Sequence, residues 1–226
     1  MCGFVGYISN VENAIQKTIE NNINEMNKMI VHRGPDEEGY YKDNTIALGF
    51  RRLSIIDIEK GHQPLSYENE RYWIIFNGEI YNYIELRKKL SGQGYLFKTD
   101  SDTEVIIAAY SAYKEEVVDK LRGMFAFVIW DKVEKTFFGA RDHFGIKPFY
   151  YAVEEQGLYV ASEKKAILKV VQDRQLDQIA LQNYLTFQYV PGSETMHQSI
   201  KELLPGHFMT KKLNETVKIT RYWQAD

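Results

Sequence analysis

Hydrophobic and polar positions recur with two periods along the chain, and these periods predict its first strands and helix. The apolar run GFVGYI predicts a strand at the amino terminus. Ile23, Met26 and Ile30 then recur at helical spacing. After HRGPDEEG, which is rich in turn formers, three short apolar segments predict strands separated by polar connections: TIALGF, RRLSII and RYWIIF.

The middle of the chain predicts two helices. YIELRKKLSGQG forms the first, with Gly92 or Gly94 as its C-terminal stop. The second should begin close to Ser101, because Ser101 and Glu104 have capping-box spacing ahead of the apolar run in SDTEVIIAAYSAY. That start places Asp102 in a first helical turn.

The rest of the chain predicts mostly antiparallel β-structure. Four apolar segments bounded by turn residues predict strands: MFAFVIWD, KTFFGAR, PFYYAV and GLYVAS. Two helices, EKKAILKV and LDQIALQNYLTF, precede a β-like tail of HFMTKK and VKITRYW. Helices cluster in blocks between runs of strands, so the pattern favours an α+β layered fold. Without a repeat or a linker, residues 1–226 are expected to form a single domain.

Composition narrows the function classes. With 226 residues and 44% hydrophobic content, the chain can bury a sizeable core. A net charge of -3 argues against nucleic-acid binding, and no apolar stretch approaches the ~20 residues of a membrane span. The single cysteine allows no internal disulfide, so we expect a cytoplasmic protein without a signal peptide. Its five histidines are scattered without ligand spacing and no phosphate-binding glycine motif occurs, so we expect no metal.

That single cysteine, Cys2, stands directly behind a removable initiator Met. Composition alone favours a small buried apolar residue. A surface redox thiol is a second alternative, although it has no resolving partner. The third is a nucleophile whose base is its own α-amine. A free α-amine has an ordinary pKa of ~7.7–8.0, so it can accept the thiol proton near neutral pH.

Two further pairs of residues have both a structural and a functional interpretation. Asn77–Gly78 is typical of a two-residue hairpin turn. A helical pattern follows it, however, so it could lie between a strand and a helix and offer the Asn77 amide and the Gly78 N–H to an oxyanion. Arg52 and Asp102 are ordinarily solvated charges or a weak ion pair. Together they could instead hold the α-carboxylate and α-amine of an amino acid.

Motifs along nearly the whole chain, from residue 2 to about Trp223, resemble the glutaminase domain of glutamine-hydrolysing asparagine synthetases. They occur in this order: MCGFVG, HRGPDEEG, RRLSIID followed by QPL, FNGEIYNYIELR, TDSDTEVI, LRGMFAFVIWD, ARDHFGIKPFYY and ASEKKAI. Minor departures, His143 and Phe149, fall outside the proposed catalytic positions. The segment RRLSIID with QPL resembles this family more than amidotransferases with other acceptors.

The resemblance implies a class II glutamine amidotransferase with the N-terminal-nucleophile hydrolase fold, a four-layer αββα sandwich of two antiparallel sheets. It implies that Cys2 is the nucleophile and that Asn77 and Gly78 form the oxyanion hole. Arg52 and Asp102 would hold the glutamine α-groups. Further residues would line the same pocket: Leu53, Ser54, Ile55, Ile56 and Glu79.

The implied reaction hydrolyses glutamine to glutamate and ammonia through a Cys2 thioester, supplying ammonia for ATP-dependent asparagine synthesis from aspartate. The family's second domain carries a Ser-Gly-Gly pyrophosphate loop that is missing here, so we expect a fragment without that domain. Glutamine and the synthetase domain of the same polypeptide are the expected partners, and a homodimer remains open. No cofactor is expected here, while ATP and Mg²⁺ would serve the synthetase domain. The alternatives are an amidotransferase with another acceptor and a non-catalytic scaffold with an inert thiol.

Overall fold

Across residues 2–53 and 61–225, which the computed structural model describes, twelve strands form two antiparallel sheets and five α-helices pack with them. The strands are β1 (Gly3–Ser9), β2 (Glu37–Lys42), β3 (Ile46–Arg52), β4 (Leu65–Tyr67), β5 (Tyr72–Ile80), β6 (Gly123–Asp131), β7 (Thr136–Arg141), β8 (Tyr150–Glu154), β9 (Gly157–Ala161), β10 (Lys201–Glu202), β11 (His207–Lys212) and β12 (Lys218–Arg221). The helices are α1 (Lys17–Met29), α2 (Tyr83–Gly92), α3 (Asp102–Tyr113), α4 (Lys164–Leu168) and α5 (Gln178–Phe187).

The two sheets face each other across a shared core. The first has the order β10-β8-β9-β1-β3-β2 and the second the order β12-β11-β7-β6-β5-β4. Side chains alternate across each strand. In β6, Val128 and Trp130 face the inter-sheet core, where Phe4 of β1 and Phe50 of β3 also pack. The central strands of both sheets are therefore buried on this side.

The outer faces of the sheets are covered by helices. Phe127 of β6 packs with Leu90 of α2 and Ile106 of α3 outside the second sheet. Outside the first sheet, Val5 of β1 joins a cluster with Met26 of α1. The order of layers is therefore helix, sheet, sheet, helix. This arrangement confirms the predicted α+β, four-layer αββα architecture.

Most predicted elements are present, and the differences have local causes. TIALGF and the following arginines form one continuous strand, β3, rather than two, and the remainder of RRLSII lies outside the described residues from Ser54 onward. The edge strand β2 was not predicted, because it alternates half-buried and exposed positions and lacks an apolar face. The strands β4 and β10 have only three and two residues, too short for a periodic pattern.

Helix α3 begins where its cap predicts, but the capping box is incomplete. The Ser101 hydroxyl accepts a hydrogen bond from the Thr103 N–H at 3.0 Å. The Glu104 carboxylate does not reciprocate in the predicted way, because it accepts from the N–H groups of Lys98 and Thr99 instead. Asp102 consequently lies in the first turn, as predicted, at the end of the helix that points toward β5.

Candidate active site

A cavity of about 160 Å³ lies where the ends of β3 and β5 meet the start of α3, and Cys2 opens into it. Seven of the predicted site residues line it: Cys2, Arg52, Leu53, Asn77, Gly78, Glu79 and Asp102. The predicted positions Ser54, Ile55 and Ile56 lie outside the described residues. A larger cavity of about 830 Å³, bordered by residues 66–70 and 93–96 with Lys98 and Glu104, contains none of the seven. We therefore locate the candidate chemistry at the smaller cavity.

Cys2 is held from two sides. Its Sγ accepts a hydrogen bond from the Leu53 N–H at 3.4 Å and donates to the Leu53 carbonyl at 3.6 Å. The Arg33 guanidinium donates from Nε to the Cys2 carbonyl at 2.9 Å, and its Nη1 pairs with Glu163 at 2.9 Å. These contacts fix both the backbone and the sulfur of Cys2 at the entrance to β1.

The environment of the Cys2 thiol favours its protonated form. Burial raises the pKa of this thiol, and the Leu53 N–H and the cations of Arg52 and Lys147 offset only part of that effect. A thiol of this kind is not a preformed thiolate at neutral pH. A base must therefore remove its proton if Cys2 is to act as a nucleophile.

Asn77 and Gly78 lie inside β5, opposite Ala126 and Phe125 of β6. Both sequence-based interpretations of their position were wrong, because the strand continues to Ile80 before α2 begins. Asn77 is buried, and its Nδ2 has no hydrogen-bond partner within the described part of the chain. A buried amide donor without a partner is costly, so it points to a ligand that accepts its hydrogen bond.

The backbone of Gly78 lies where the edge of β5 extends beyond its pairing with β4, which involves only Tyr72, Trp73 and Ile74. Two residues before it, Phe76 donates its N–H to the Gln63 side chain at 2.6 Å, and two residues after it, Ile80 donates to Asp102 at 3.0 Å. Alternate residues of a strand direct their N–H groups to the same side. The Gly78 N–H therefore points to this edge too, between two groups that side chains already satisfy.

Gly78 also has a steric requirement. A Cβ at this position would collide with the carbonyl oxygen of Met124 and come within 2.8 Å of Phe125 Cα. Only glycine allows β5 and β6 to approach this closely here.

Arg52 and its neighbour Arg51 point to opposite faces of β3. Arg52 is buried, lines the Cys2 cavity and pairs with Glu37 at 3.2 Å. Arg51 instead pairs with Glu38 at 2.7 Å and donates to the Asn27 carbonyl. Of the two arginines, Arg52 is therefore the one placed to contact a ligand in the cavity.

Asp102 faces the same cavity from the first turn of α3. Its carboxylate accepts from the Ile80 N–H, yet burial raises its pKa to about 6. A cation bound beside it would stabilise the ionised form. The structure thus brings a cation, Arg52, and a titratable carboxyl, Asp102, to one small cavity, as an amino-acid ligand requires.

Gln63 and Lys147 are among the cavity residues that were not predicted as site residues. Gln63 exchanges hydrogen bonds with both the N–H and the carbonyl of Phe76 and donates to Thr103 Oγ1 at 3.3 Å, so it ties β5 to α3. Lys147 is almost fully buried and also lines the cavity. Gln63 occurs in the motif QPL and Lys147 in the motif ARDHFGIKPFYY. Both motifs belong to the family resemblance, but neither residue was assigned a role from the sequence.

Neither a metal site nor a membrane helix emerges from residues 2–53 and 61–225. No group of three or more His, Cys, Asp or Glu side chains in these ranges could hold a metal ion. The helices in the same ranges are too short or too polar to cross a bilayer.

Comparison with known proteins places the chain beside glutamine-using enzymes. A family model described as a glutamine amidotransferase domain matches residues 1–223. Asparagine synthetase (glutamine-hydrolyzing) 1 of Bacillus subtilis (strain 168) is 52% identical over 226 residues, which are 100% of this chain and 36% of that protein. Asparagine synthetase B (glutamine-hydrolyzing) of Escherichia coli (strain K12) is 40% identical over 171 residues, 75% of this chain and 30% of that protein. The chain thus spans about a third of the length of these curated relatives.

A solved structure shares the fold at low sequence identity. The glutamine phosphoribosylpyrophosphate amidotransferase from B. subtilis, complexed with ADP and GMP, superimposes with a TM-score of 0.70 at 21% identity. The match covers 99% of this chain and 50% of that one. This chain therefore shares its arrangement of sheets and helices with half of that chain.

Proposed function

This chain belongs to the glutamine amidotransferase domain family, and we propose on that premise that it hydrolyses the side-chain amide of glutamine to glutamate and ammonia, with Cys2 as the nucleophile. One observation carries the proposal. The buried Asn77 amide, which lacks a partner among the described residues, lines the same small cavity as the Cys2 thiol. A nucleophile and an oxyanion donor in one cavity are two of the groups that amide hydrolysis requires.

The first half-reaction forms a thioester. After removal of Met1, the α-amine of Cys2 takes the thiol proton, directly or through a water. The sulfur attacks the glutamine amide carbon, and the carbonyl electron pair moves onto its oxygen. Asn77 Nδ2–H and the Gly78 N–H stabilise this oxyanion. The oxyanion then re-forms the carbonyl, the carbon–nitrogen bond breaks, and the leaving nitrogen takes the proton from the α-ammonium and departs as ammonia.

The second half-reaction releases glutamate. Water attacks the γ-glutamyl thioester while the α-amine again accepts a proton, and the same two donors stabilise the second oxyanion. When the carbon–sulfur bond breaks, the sulfur recovers the proton. Because burial raises the pKa of the Cys2 thiol, this leaving group ends the cycle protonated and ready for the next glutamine.

The α-groups of glutamine have matching partners in the cavity. Arg52 would pair with the α-carboxylate, and Asp102 would accept a hydrogen bond from the α-ammonium. Glu79, on the same cavity wall, adds a second carboxylate that favours a cation there. The pocket is small, which suits a single amino acid rather than a peptide.

We further propose that the released ammonia serves asparagine synthesis in a longer polypeptide. The matched relatives are named glutamine-hydrolyzing asparagine synthetases, and this chain covers about a third of them. In such a protein a second domain would use ATP and Mg²⁺ to activate aspartate. Assay of the full-length polypeptide with aspartate, glutamine and ATP tests this, and transfer of the nitrogen to another acceptor would contradict it.

The glutaminase proposal is tested by measuring glutamate and ammonia release by the chain and by its Cys2→Ala and Cys2→Ser variants. We expect turnover by the parent chain and its loss in both variants, because neither retains the thiol. A glutamine-like electrophile should label Cys2 only in the parent chain. A non-catalytic scaffold predicts neither turnover nor labelling after Met1 removal, and either outcome would overturn the proposal.

A further inference from the structure

The loop between β7 and β8 carries Lys147 into the cavity of Cys2. Lys147 is only 5% exposed and shares the cavity wall with Cys2 and Glu79. The loop belongs to the motif ARDHFGIKPFYY, and the proposed hydrolysis assigns it no role. A buried lysine on the same cavity wall as a nucleophile can act on it through its charge.

Asp142 organises this loop. Its buried carboxylate accepts hydrogen bonds from the N–H groups of Phe144, Ile146 and Lys147, each at 3.0 Å. Three bonds to one carboxylate close the loop around a single point. These hydrogen bonds therefore fix the position of the Lys147 backbone.

Arg141 fastens the loop from the other side. Its guanidinium donates to the carbonyls of Gly145 and Lys147, both at 2.8 Å. Gly145 has a φ of 65°, a left-handed conformation that favours glycine. The hydrogen bonds of Arg141 and Asp142 to the loop backbone, together with the conformation of Gly145, thus account for the shape of the loop.

The loop is also bonded to the strand that faces the proposed oxyanion donor. Phe125 of β6 donates its N–H to Asp142 at 3.1 Å and accepts from the Asp142 N–H at 2.8 Å. Phe125 lies directly opposite Gly78 in the sheet. The fixed loop and the Gly78 edge therefore belong to one rigid unit.

Charged groups surround Lys147 from several elements. Burial and the nearby Arg33 cation lower its pKa, while Asp142, Cys2 and Glu79 act in the opposite direction. In turn, Lys147 and Arg52 both favour the ionised form of Cys2. The ammonium is thus coupled to the thiol, and the two carboxylates help to keep it charged.

We propose that the Lys147 ammonium stabilises the negative charge that develops on Cys2 Sγ during attack. The loop between β7 and β8, which Asp142 organises and which we call the Asp142 loop, holds this ammonium in the glutaminase site. The ammonium acts on the sulfur through its charge and does not exchange a proton with it. Its effect on turnover rests on the proposed function. Its effect on the thiol does not, because a small electrophile reports on Cys2 without any glutamine.

The test measures the rate at which iodoacetamide alkylates Cys2 in the full chain across pH 6–10, for the parent and for Lys147→Met. Loss of the ammonium should slow alkylation roughly three- to tenfold at fixed pH and move the profile to higher pH. The ratio of iodoacetate to iodoacetamide rates should fall as well, because the cavity loses a cation. Unchanged rates and an unchanged ratio in a folded Lys147→Met protein would overturn the proposal.

One further variant tests whether the charge of Lys147 matters, and a second tests whether its position does. Lys147→Arg keeps the charge and should restore the alkylation profile to within about twofold of the parent; a variant as slow as Lys147→Met would contradict the proposal. Lys211 is the matched control, because it is also almost fully buried, donates to the Lys212 and Glu215 carbonyls and lies at another cavity. Lys211→Met should leave the profile of Cys2 unchanged, and an equal shift there would refute a specific role for Lys147.

Glutamine turnover measurements separate the proposed role of Lys147 from the proposed glutaminase function. In Lys147→Met we expect kcat to fall while the KM for glutamine stays within about twofold, since the charge acts on the reacting sulfur. If the parent chain shows no glutaminase activity, the proposed function fails, yet the alkylation data still decide the role of Lys147.

Discussion

Cys2 Sγ and the Leu53 backbone exchange two hydrogen bonds, at 3.4 and 3.6 Å, which fasten the second residue of the chain to the end of β3. Arg52, the residue before Leu53, lines the same cavity. The proposed nucleophile and the proposed carboxylate-binding arginine are therefore positioned by one strand end, and the following predictions depend on that geometry.

Asn77→Ala should lower kcat about 10²- to 10³-fold while the protein remains folded, because one oxyanion donor is lost. Steady-state kinetics and a thermal melt check this. Asn27 provides a control, since it is also buried but donates to the Phe50 carbonyl away from the cavity. Asn27→Ala should lower the melting temperature and leave kcat within about twofold. Near-normal turnover in Asn77→Ala would remove this amide from the mechanism.

Gly78→Ala should destabilise the fold, because the added Cβ collides with the Met124 carbonyl and crowds Phe125. We expect a loss of about 1–3 kcal/mol in the free energy of unfolding. Gly92 at the end of α2 has open space around it, so Gly92→Ala should change stability by less than about 0.5 kcal/mol. Denaturant unfolding of both variants measures the difference, and equal stabilities would show that β5 and β6 can separate at Gly78.

Arg52→Ala should raise the KM for glutamine about ten- to a hundredfold, with a smaller change in kcat, because a charge-assisted contact to the substrate is lost. Arg51→Ala is the matched variant on the same strand, and its KM should stay within about twofold of the parent. Kinetics at saturating and limiting glutamine separate the two constants. A KM that rises only in Arg51→Ala would assign the substrate to the other face of β3.

The KM for glutamine should rise as the pH falls below about 6, the raised pKa of Asp102. Protonation removes the carboxylate charge that would pair with the substrate α-ammonium. Asp102→Asn should have a high KM that no longer depends on pH in this range. Asp100→Asn, which changes an exposed carboxylate two residues away, should keep the parent profile. A parent KM that is flat from pH 5 to 8 would contradict this role.

The raised pKa of Asp102 also predicts how the stability of the protein depends on pH in the absence of glutamine. The ordinary pKa of an Asp is 3.8, and burial raises that of Asp102 to about 6. The folded state holds the Asp102 proton more tightly than the unfolded state does. The contribution of this carboxyl to the free energy of unfolding is therefore greatest below pH 4 and is lost as the pH rises through about 6. The free energy of unfolding of the parent, relative to Asp102→Asn, should decrease over that interval. An increase over the same range would give the opposite sign and contradict the buried-carboxyl interpretation.

Local patterns predicted most of the fold, because β1, β6 and α3 bury regular apolar positions. The sequence did not predict that Asn77 and Gly78 lie inside β5. Their strand conformation depends on pairing with Ala126 and Phe125, which are distant in the chain. Nor could local patterns show that Arg52 and Asp102 face one cavity. Lys147 was missed for the same reason, since its burial results from the Asp142 loop and from β6.

The most direct test of the central claim measures intact mass and glutamine turnover on the same preparation. The α-amine of Cys2 can serve as the base only when Cys2 is the first residue. We predict that protein whose mass shows loss of Met1 releases glutamate and ammonia, and that protein retaining one residue ahead of Cys2 does not. Equal turnover by a preparation that fully retains Met1 would contradict the proposed mechanism.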